Sequence, residues 1–224
     1  MTNACVIIPT YNEAKNIGEV LAEIKQYKID AVVIDDGSSD STAEIARNQG
    51  AIVLKNEKNQ GKGASLIKGF NYALSKGYEA VITMDGDGQH LPEDIPHFLR
   101  LAENPDSSIF IGNRMDSIRN MPLVRVFVNR LMSWAISSII GQSVPDTQCG
   151  YRLIKKNVLG RINLRTANYE IESEIIIKGA RSGFKIEAVP IITVYRDEKS
   201  KINPFIDTLR FLRFIFAEIW ISKR

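Results

Sequence analysis

Short runs of mainly apolar residues, many of them β-branched, alternate along the chain with longer segments of mixed polarity. Five such runs stand out, at residues 5–8, 31–34, 51–54, 80–84 and 108–111. Continuous apolar runs without strict alternation are typical of strands that are covered on both faces. The pattern therefore predicts five buried strands.

The segments between these runs have the character of helices, at residues 13–26, 39–49, 62–75 and 93–103. The sequences Ser-Asp-Ser-Thr at 39–42 and Pro-Glu-Asp at 92–94 supply N-terminal caps and acidic first turns. Alternating strands and helices predict a single Rossmann-like α/β domain, with a mostly parallel sheet flanked by helices.

Polar segments follow four of the predicted strands. They occupy residues 9–13, 35–37, 85–89 and 112–114, and they are rich in carboxylates, glycine and arginine. In open sheets of this kind, ligands bind beyond the carboxyl ends of the strands. We therefore expect these segments to form one polar crevice.

The triplet Asp85-Gly86-Asp87 is the sharpest chemical signal in the sequence. In extended backbone, residues two apart project to the same side, so both carboxylates can face one cation. Mg²⁺ and Mn²⁺ take oxygen ligands and often bind through one or two carboxylates plus substrate phosphates. Gln89 adds a neutral oxygen, and Gly86 and Gly88 leave room for a diphosphate. A solvated turn is the alternative interpretation.

Other motifs of this kind fit less well. An EF-hand needs an acidic residue where Pro96 stands, a P-loop needs Ser or Thr where Gly63 stands, and a dinucleotide fingerprint needs glycines after the first strand. An aspartate-nucleophile phosphatase stays open as a weaker alternative. In the Asp35-Asp36 pair, one carboxylate is a candidate partner for a nucleobase or ribose, and capping of the next helix is the competing role.

Composition narrows the class of protein. A net charge of +3 is too small for a nucleic-acid-binding protein, and two cysteines without a disulfide or zinc pattern fit a reducing cytoplasm. The first apolar run begins at residue 5, from which we expect no signal peptide. No stretch of about 18 uncharged apolar residues occurs, so we also expect no transmembrane helix.

The motifs occur in a characteristic order: 6–13, 35–38, 59–63, 85–90, 112–114, Pro122 with Arg125, 146–152, and 189–191 through Arg196 to 200–201. Together they resemble the family 2 glycosyltransferases of GT-A fold, and within them the dolichyl- or polyprenyl-phosphate mannose synthases. The resemblance covers nearly the whole chain. It departs from the family in having Gly88 where Leu is common, and in residues 197–199, which lengthen the link between Arg196 and Lys201.

The resemblance implies a role for individual residues. Those that would hold the nucleoside are Pro9, Tyr11, Glu13, Ile34 and Asp36. Those that would hold the diphosphate and a Mn²⁺ or Mg²⁺ ion are Asp85, Gly86, Asp87 and Gln89, with Asp85, Asp87 and Gln89 as metal ligands. Arg114, Arg196 and Lys201 would contact donor phosphates, and Arg125 would contact the acceptor phosphate. The catalytic set is Asp87, Arg114 and Arg125.

The activity implied is transfer of a hexose, with mannose favoured, from a nucleotide sugar such as GDP-mannose or UDP-glucose to a polyprenyl or dolichyl phosphate, with inversion. Two alternatives stay open. One is transfer to a sugar hydroxyl, which needs a base, with Glu172 or Glu174 as candidates. The other is a catalytically idle nucleotide-binding module.

Two aromatic-rich segments, 122–141 and 204–224, are amphipathic and carry basic residues. Such helices can lie in a membrane interface, although core or dimer helices are the competing interpretation. We expect a glycosyltransferase domain over residues 1–203, and a helix over 204–224 that either completes it or docks on the membrane. The expected location is peripheral, on the cytoplasmic face of a membrane, and a separate membrane-protein partner is compatible with it.

Overall fold

The computed structural model describes residues 2–116, 118, 121–193, 210, 211, 213–216 and 218. Seven strands form one sheet: β1 (Ala4–Thr10), β2 (Asp30–Asp35), β3 (Ile52–Lys55), β4 (Ala80–Thr83), β5 (Ile109–Asn113), β6 (Arg152–Lys155) and β7 (Ile186–Pro190). The helices are α1 (Ile17–Ile24), α2 (Thr42–Asn48), α3 (Lys62–Ser75), α4 (Ile95–Leu101), α5 (Leu123–Ile140), α6 (Lys156–Leu159) and α7 (Ile171–Arg181), with 3₁₀ turns at Lys25–Tyr27 and Pro92–Asp94.

The strand order is β3-β2-β1-β4-β6-β5-β7, and β6 alone runs antiparallel to its neighbours. The other six strands therefore share one direction and end at the same edge of the sheet. Arg152 pairs with Thr83, so β6 begins where β4 ends. The loop that precedes β6 consequently joins the loops that follow the parallel strands.

The five predicted strands are confirmed, and so is the mostly parallel sheet flanked by helices. Neighbouring residues Ile7 and Ile8 of β1 are both 0% exposed, which shows that both faces of this strand are covered. The helix predicted over 62–75 has those limits in the structure. The helix predicted from residue 13 begins at Ile17 instead, because Asn12 turns the chain with a φ of 54°.

Helix α5 is oriented with its apolar side outward. The buried positions Val126, Asn129, Ser133 and Ile136 form the inner face, and two of them are polar. Ser133 bonds to Thr147, through its hydroxyl to the Thr147 hydroxyl at 3.1 Å and as acceptor from the Thr147 N–H at 2.9 Å. The outward side chains are exposed by the following fractions: Leu123 83%, Val124 76%, Phe127 68%, Leu131 53% and Trp134 68%.

Helix α5 bears on the expectation that the chain has no transmembrane helix, and that expectation stays a prediction. This helix has 18 residues and a mean hydropathy of 1.4, which meets the length and composition of a membrane span, and 22% of those residues are buried in the protein. The two arginines in this helix, Arg125 and Arg130, do not lower its mean hydropathy below that of a membrane span. Composition alone does not separate a spanning helix from one that lies on a surface.

The described residues of the C-terminal segment are helical at 210, 211, 213–216 and 218. Phe211 and Ile215 are each 8% exposed and join the core, and Arg181 of α7 forms an ion pair with Glu218. Arg210, Arg213 and Phe216 face outward. One side of this segment therefore packs against the domain, and the other side is exposed.

The close approach of α3 to the sheet gives the first prediction. A Cβ on Gly69 would lie 2.6 Å from Ile7 Cγ2 and 2.9 Å from Ile34 Cδ1, so Gly69→Ala forces the helix or the sheet to shift. We expect a loss of about 1–3 kcal/mol in the free energy of unfolding, measured in urea. The control is Gly160→Ala, where the nearest atom is 3.4 Å away. This control should change stability by less than about 0.5 kcal/mol. Equal effects of the two substitutions would contradict the packing argument.

Candidate active site

The loops after β1 and β2 are locked together by reciprocal hydrogen bonds. The N–H of Asn12 donates to Ser38 Oγ at 2.9 Å, and Asn12 Oδ1 accepts from the N–H of Ser39 at 2.9 Å. The N–H of Glu13 donates to Thr42 Oγ1 at 2.8 Å. These bonds fix the first wall of the crevice and leave Tyr11 40% exposed on it.

Asp36 uses its carboxylate to hold a neighbouring loop. Its Oδ1 accepts from Asn56 Nδ2 at 2.7 Å and from the N–H of Gln60 at 2.9 Å, and its Oδ2 accepts from the N–H of Gly61 at 2.8 Å. The adjacent Asp35 is fully buried, and its Oδ1 accepts from the N–H of Ser38 at 3.2 Å. Both carboxylates thus shape the crevice through contacts with the protein itself.

Ile34 does not present its side chain to the crevice. The side chain is fully buried and packs below α3, where its Cδ1 would lie 2.9 Å from a Cβ on Gly69. Its carbonyl accepts from Thr10 Oγ1 at 3.3 Å. The Ile34 side chain therefore packs under α3, and the role in nucleoside binding that the resemblance implies for this residue stays a prediction. Pro9, its partner across β1 and β2, is half-buried.

The glycines of the 59–63 motif make room for another loop. A Cβ on Gly61 would lie 2.4 Å from the carbonyl oxygen of Ala167, and one on Gly63 would lie 2.3 Å from that of Thr166. The N–H of Ala64 donates to the Ala167 carbonyl at 3.1 Å. The start of α3 is therefore covered by residues 166–167, and this packing places Lys62.

Lys62 lies between two carboxylates. Its Nζ is 2.6 Å from Asp85 Oδ1 and 2.7 Å from Glu172 Oε1. Burial raises the pKa of Asp85, but the charge of Lys62 outweighs it and lowers that pKa to about 2. Burial opposes the charge of Lys62, yet Asp85 and Glu172 together raise its pKa. The three side chains form one ionised cluster at the end of β4.

Asp87 lies beside this cluster and forms no ion pair with any described residue. Its Oδ1 accepts from the N–H of Gln89 at 3.0 Å. Burial, and then the charge of Asp85, raise the pKa of Asp87 to about 6. A carboxylate that is repelled in this way is relieved by a cation.

The donor set fits a divalent cation that arrives with a phosphorylated ligand. Within the described ranges no group of three or more His, Cys, Asp or Glu side chains could enclose a metal ion. Asp85, Asp87 and Gln89 instead form an open set of oxygen donors. Mg²⁺ and Mn²⁺ are commonly held by one or two carboxylates together with substrate phosphates.

Gly86 lies close to β1. A Cβ there would lie 2.9 Å from Thr10 Cγ2. The close contact of β1 with the loop after β4 therefore disfavours a larger residue, and the space for a diphosphate that Gly86 would leave stays a prediction. Gly88 has a φ of 72°, which favours glycine in the turn that carries Asp87 and Gln89.

His90 supports the loop from below. It is 3% exposed, its Nδ1 accepts from the N–H of Asp85 at 3.2 Å, and its ring lies 5.1 Å from that of Tyr151. Burial lowers the pKa of His90 to about 4, so the ring is neutral at pH 7. The lone pair of Nδ1 is used by the Asp85 N–H, so His90 supports the loop through this hydrogen bond.

Arg114 is held by a buried carboxylate. Its Nε and Nη2 donate to Asp146 Oδ2 at 2.7 Å and to Asp146 Oδ1 at 2.9 Å, and Asp146 is 1% exposed. A bidentate pair of this kind fixes the plane of the guanidinium. The charge of Arg114 also lowers the pKa of Asp85, which places it at the same edge of the sheet. Arg125 is half-buried on α5, and Arg196 and Lys201 lie outside the described residues.

Glu172 and Glu174 differ in their surroundings. Glu174 accepts from the N–H of Arg165 at 3.0 Å, from the N–H and hydroxyl of Thr166 at 2.9 and 2.7 Å, and from Lys178 Nζ at 2.5 Å. These bonds use its carboxylate for the loop over α3, so Glu174 is set aside as a candidate base. Glu172, beside Lys62, is the one of the two that reaches the crevice.

Three residues of the site received no role from the sequence: Lys62, Asp146 and Arg152. Arg152 is 1% exposed, and its guanidinium donates to the carbonyls of Cys149, Glu172 and Thr147 at 2.7, 2.5 and 2.9 Å. All three stand in the quoted motifs 59–63 and 146–152, which was the available signal.

The open, mostly parallel α/β sheet, with Asp85 and Asp87 after the carboxyl end of β4, agrees with the GT-A glycosyltransferase fold that the resemblance implies. Residues 5–162 match the family described as Glycosyl transferase family 2. The chain belongs to this glycosyltransferase family, and the phosphatase interpretation is thereby set aside.

Relatives agree with this family assignment, and a solved structure agrees with the fold. The chain is 32% identical to a UDP-N-acetylglucosamine–dolichyl-phosphate N-acetylglucosaminyltransferase of Methanococcus voltae, over 86% of each chain. It is 31% identical to an undecaprenyl-phosphate mannosyltransferase of Micrococcus luteus, over 85% of this chain and 83% of that one. Its fold is similar to glucosyl-3-phosphoglycerate synthase from Mycobacterium tuberculosis in complex with Mn²⁺ and UDP-glucose, with a TM-score of 0.74, 18% identity, and coverage of 97% and 78%.

The buried imidazole gives a pH prediction. The unfolded chain binds a proton at His90 below about pH 6.5, whereas the folded protein resists it down to about 4. Stability from this group is therefore present above pH 6.5 and is lost as the pH falls, by about 2 kcal/mol at pH 5. Urea unfolding at pH 7 and pH 5 should show a smaller loss for His90→Gln, whose amide oxygen can still accept the Asp85 N–H.

Asp87 changes the stability in the opposite direction, because its pKa is raised and its protonation between pH 6 and 4 favours the folded state. This contribution is the same in the wild type and in His90→Gln, so it does not affect their comparison. His97→Gln controls for removal of an imidazole elsewhere in the chain. A His90→Gln protein that keeps the full pH-dependent loss would contradict the role of buried His90.

Proposed function

We propose that this protein is an inverting, metal-dependent transferase that moves a hexose, with mannose favoured, from a nucleotide sugar to the phosphate of a polyprenol. The observation that carries the acceptor assignment is α5, whose polar side packs on the domain beside the site and whose apolar side faces outward. The named acceptors of two relatives, dolichyl phosphate and undecaprenyl phosphate, support the same class of acceptor.

On the donor side, Asp87 and Gln89 would hold the divalent cation with Asp85 adjacent, and Tyr11 and Glu13 would line the nucleoside. The cation supplies charge that stabilises the departing nucleoside diphosphate. Arg114 would add its guanidinium to the same phosphates, in the plane that Asp146 fixes. This chain's own residues thus orient the diphosphate between a carboxylate side and a guanidinium side.

On the acceptor side, the chemistry needs no strong base. A phosphate monoester is already largely ionised at neutral pH, since its second pKa is about 6. This fits a site in which Glu174 is used by a loop and Glu172 is paired with Lys62. Arg125, on the half-buried part of α5, would receive the acceptor phosphate.

The outward face of α5 supports a peripheral position on the membrane. A spanning helix would have to detach Asn129 and Ser133 from the domain and break the bonds of Ser133 to Thr147. A helix that lies in the interface keeps these bonds and buries Phe127, Leu131 and Trp134 among the lipids. A lipid acceptor requires such contact, because its tail stays in the bilayer.

The transfer itself is tested with purified protein, Mn²⁺, labelled GDP-mannose, UDP-glucose or UDP-N-acetylglucosamine, and a short-chain polyprenyl phosphate. The proposal expects a sugar–phosphate–lipid product from one donor, with the anomeric configuration inverted. Transfer to a sugar hydroxyl but not to the lipid phosphate would favour the first alternative. Nucleotide binding without any transfer or donor hydrolysis would favour an idle binding module.

Asp87→Asn should affect ligand binding and the stability of the ligand-free protein in opposite directions. The variant should lose Mn²⁺-dependent binding of the nucleotide sugar in isothermal titration. Without ligand it should be at least as stable as the wild type at pH 7.5, because burial and then repulsion by Asp85 raise the pKa of Asp87 to about 6, which makes its charge unfavourable. Asp106→Asn, on an exposed turn, is the control. Unchanged donor affinity in Asp87→Asn would contradict the metal assignment.

A paired substitution on α5 tests membrane docking. Phe127→Ser with Trp134→Ser removes two large outward side chains, and each such side chain contributes about 1.5–3 kcal/mol when buried. Cosedimentation with anionic liposomes should fall at least about tenfold, since 1.4 kcal/mol corresponds to a factor of ten. The matched control, Phe127→Leu with Trp134→Phe, keeps the face apolar and should sediment nearly as the wild type does. Wild-type protein that stays in the supernatant at low salt would contradict docking.

A further inference from the structure

Two cations meet at Glu172, in the first turn of α7: Lys62, whose side chain is 15% exposed, and the buried Arg152. Lys62 Nζ lies 2.7 Å from the Glu172 carboxylate, and Arg152 Nη1 donates to the Glu172 backbone carbonyl at 2.5 Å. Glu172 is 6% exposed and Arg152 is 1% exposed. One residue therefore contacts two cations, through its side chain and through its backbone.

The side-chain contact leads to the carboxylate half of the site. Lys62 continues to Asp85 at 2.6 Å, and Gly150 packs against all three groups. A Cβ on Gly150 would lie 2.8 Å from Asp85 Oδ2, 3.0 Å from Lys62 Nζ and 3.1 Å from Glu172 Oε1. The cluster is thus closely packed, and a shift of one member displaces the others.

The backbone contact leads to the guanidinium half. Arg152 also donates to the carbonyls of Thr147 and Cys149, at 2.9 and 2.7 Å. These residues follow directly on Asp146, whose carboxylate holds Arg114. The loop that orients Arg114 is therefore attached, through Arg152, to the first turn of α7, and Lys62 is attached to the same turn through the Glu172 side chain.

We infer that Glu172 is a positioning residue that sets the Asp85 side and the Arg114 side of the phosphate site relative to each other, and that it does not act as the proton acceptor. The inference rests on the proposed function for the ligand, a nucleoside diphosphate with a divalent cation. The Glu172 carboxylate holds the Lys62 ammonium between two anions. Without that negative charge, Lys62 is held by Asp85 alone and no longer fixes the position of Asp85 relative to α7.

The test is binding of Mn²⁺ with GDP or UDP, measured by isothermal titration and by the electron paramagnetic resonance of Mn²⁺, without acceptor. Glu172→Gln should weaken Mn²⁺-nucleotide binding about 10- to 100-fold, the range found when residues that orient metal ligands are removed. Glu172→Asp keeps the charge and should recover most of the affinity. Glu79→Gln, in an exposed ion pair with Lys156 at the other edge of the sheet, is the control.

A double-mutant cycle separates action through Lys62 from an independent effect. Lys62→Met alone should also weaken binding, and adding Glu172→Gln to it should cost much less than Glu172→Gln costs in the wild type. Additive losses would overturn the inference. Circular dichroism shows whether Glu172→Gln folds. If it does not, binding of Mn²⁺ with nucleotide is compared between Glu172→Asp and Lys62→Met. Weakened binding in Lys62→Met then supports the inference, and unaltered binding contradicts it.

A base role predicts a different pattern. Glu172→Gln would then bind Mn²⁺ and nucleotide normally, and it would lose transfer together with one limb of the pH profile of kcat. That result would overturn the inference and favour a hydroxyl acceptor. Because the binding experiment contains no acceptor, failure of the wild type to glycosylate polyprenyl phosphate would contradict the proposed function without altering the outcome for Glu172.

Discussion

The arrangement of the site depends on one buried ammonium group shared by two carboxylates. Lys62 reaches the end of β4 because Gly61 and Gly63 let residues 166–167 lie directly on the start of α3. A buried charge is costly unless it is paired and hydrogen-bonded. Asp85 and Glu172 meet that requirement, and in doing so they join the loop after β4 to α7.

The position of Lys62 also makes the two aspartates of the triplet differ in their pKa. Asp85 is neutralised by Lys62 and keeps a low pKa, whereas Asp87 forms no ion pair within the described part of the chain and its pKa is raised. Asp87 is consequently the carboxylate that gains most from a divalent ion. On the opposite side, Asp146 and Arg152 hold Arg114 and its loop without using the side chains of the triplet. A ligand with several phosphate oxygens matches both halves at once.

The sequence predicted those parts of the fold and site that local pattern determines. Apolar runs placed β1 to β5, strand ends placed Asp85 and Asp87, and the limits of α3 were correct. Strand β6 was missed because Arg and Lys begin and end its four residues. The Lys62–Glu172 pair joins residues 110 positions apart, so no local pattern reports it. In α5 the sequence has a polar residue at every fourth position, at 125, 129, 133 and 137. This stripe does not tell by itself which side of the helix faces the domain. The structure does, because Ser133 of the stripe accepts a hydrogen bond from the N–H of Thr147.

The central claim is that Asp87 and Gln89 bind a metal–diphosphate while Lys62 keeps hold of Asp85. The most direct measurement is a crystal structure with Mn²⁺ and a nucleoside diphosphate, with anomalous data collected at the manganese edge. The account predicts one strong anomalous peak bonded to Asp87 and to diphosphate oxygens, at about 2.0–2.3 Å for an oxygen-bound divalent ion, with the Lys62–Asp85 and Lys62–Glu172 contacts intact. A peak away from Asp87, or a nucleotide bound with Lys62 displaced from Asp85, would contradict it.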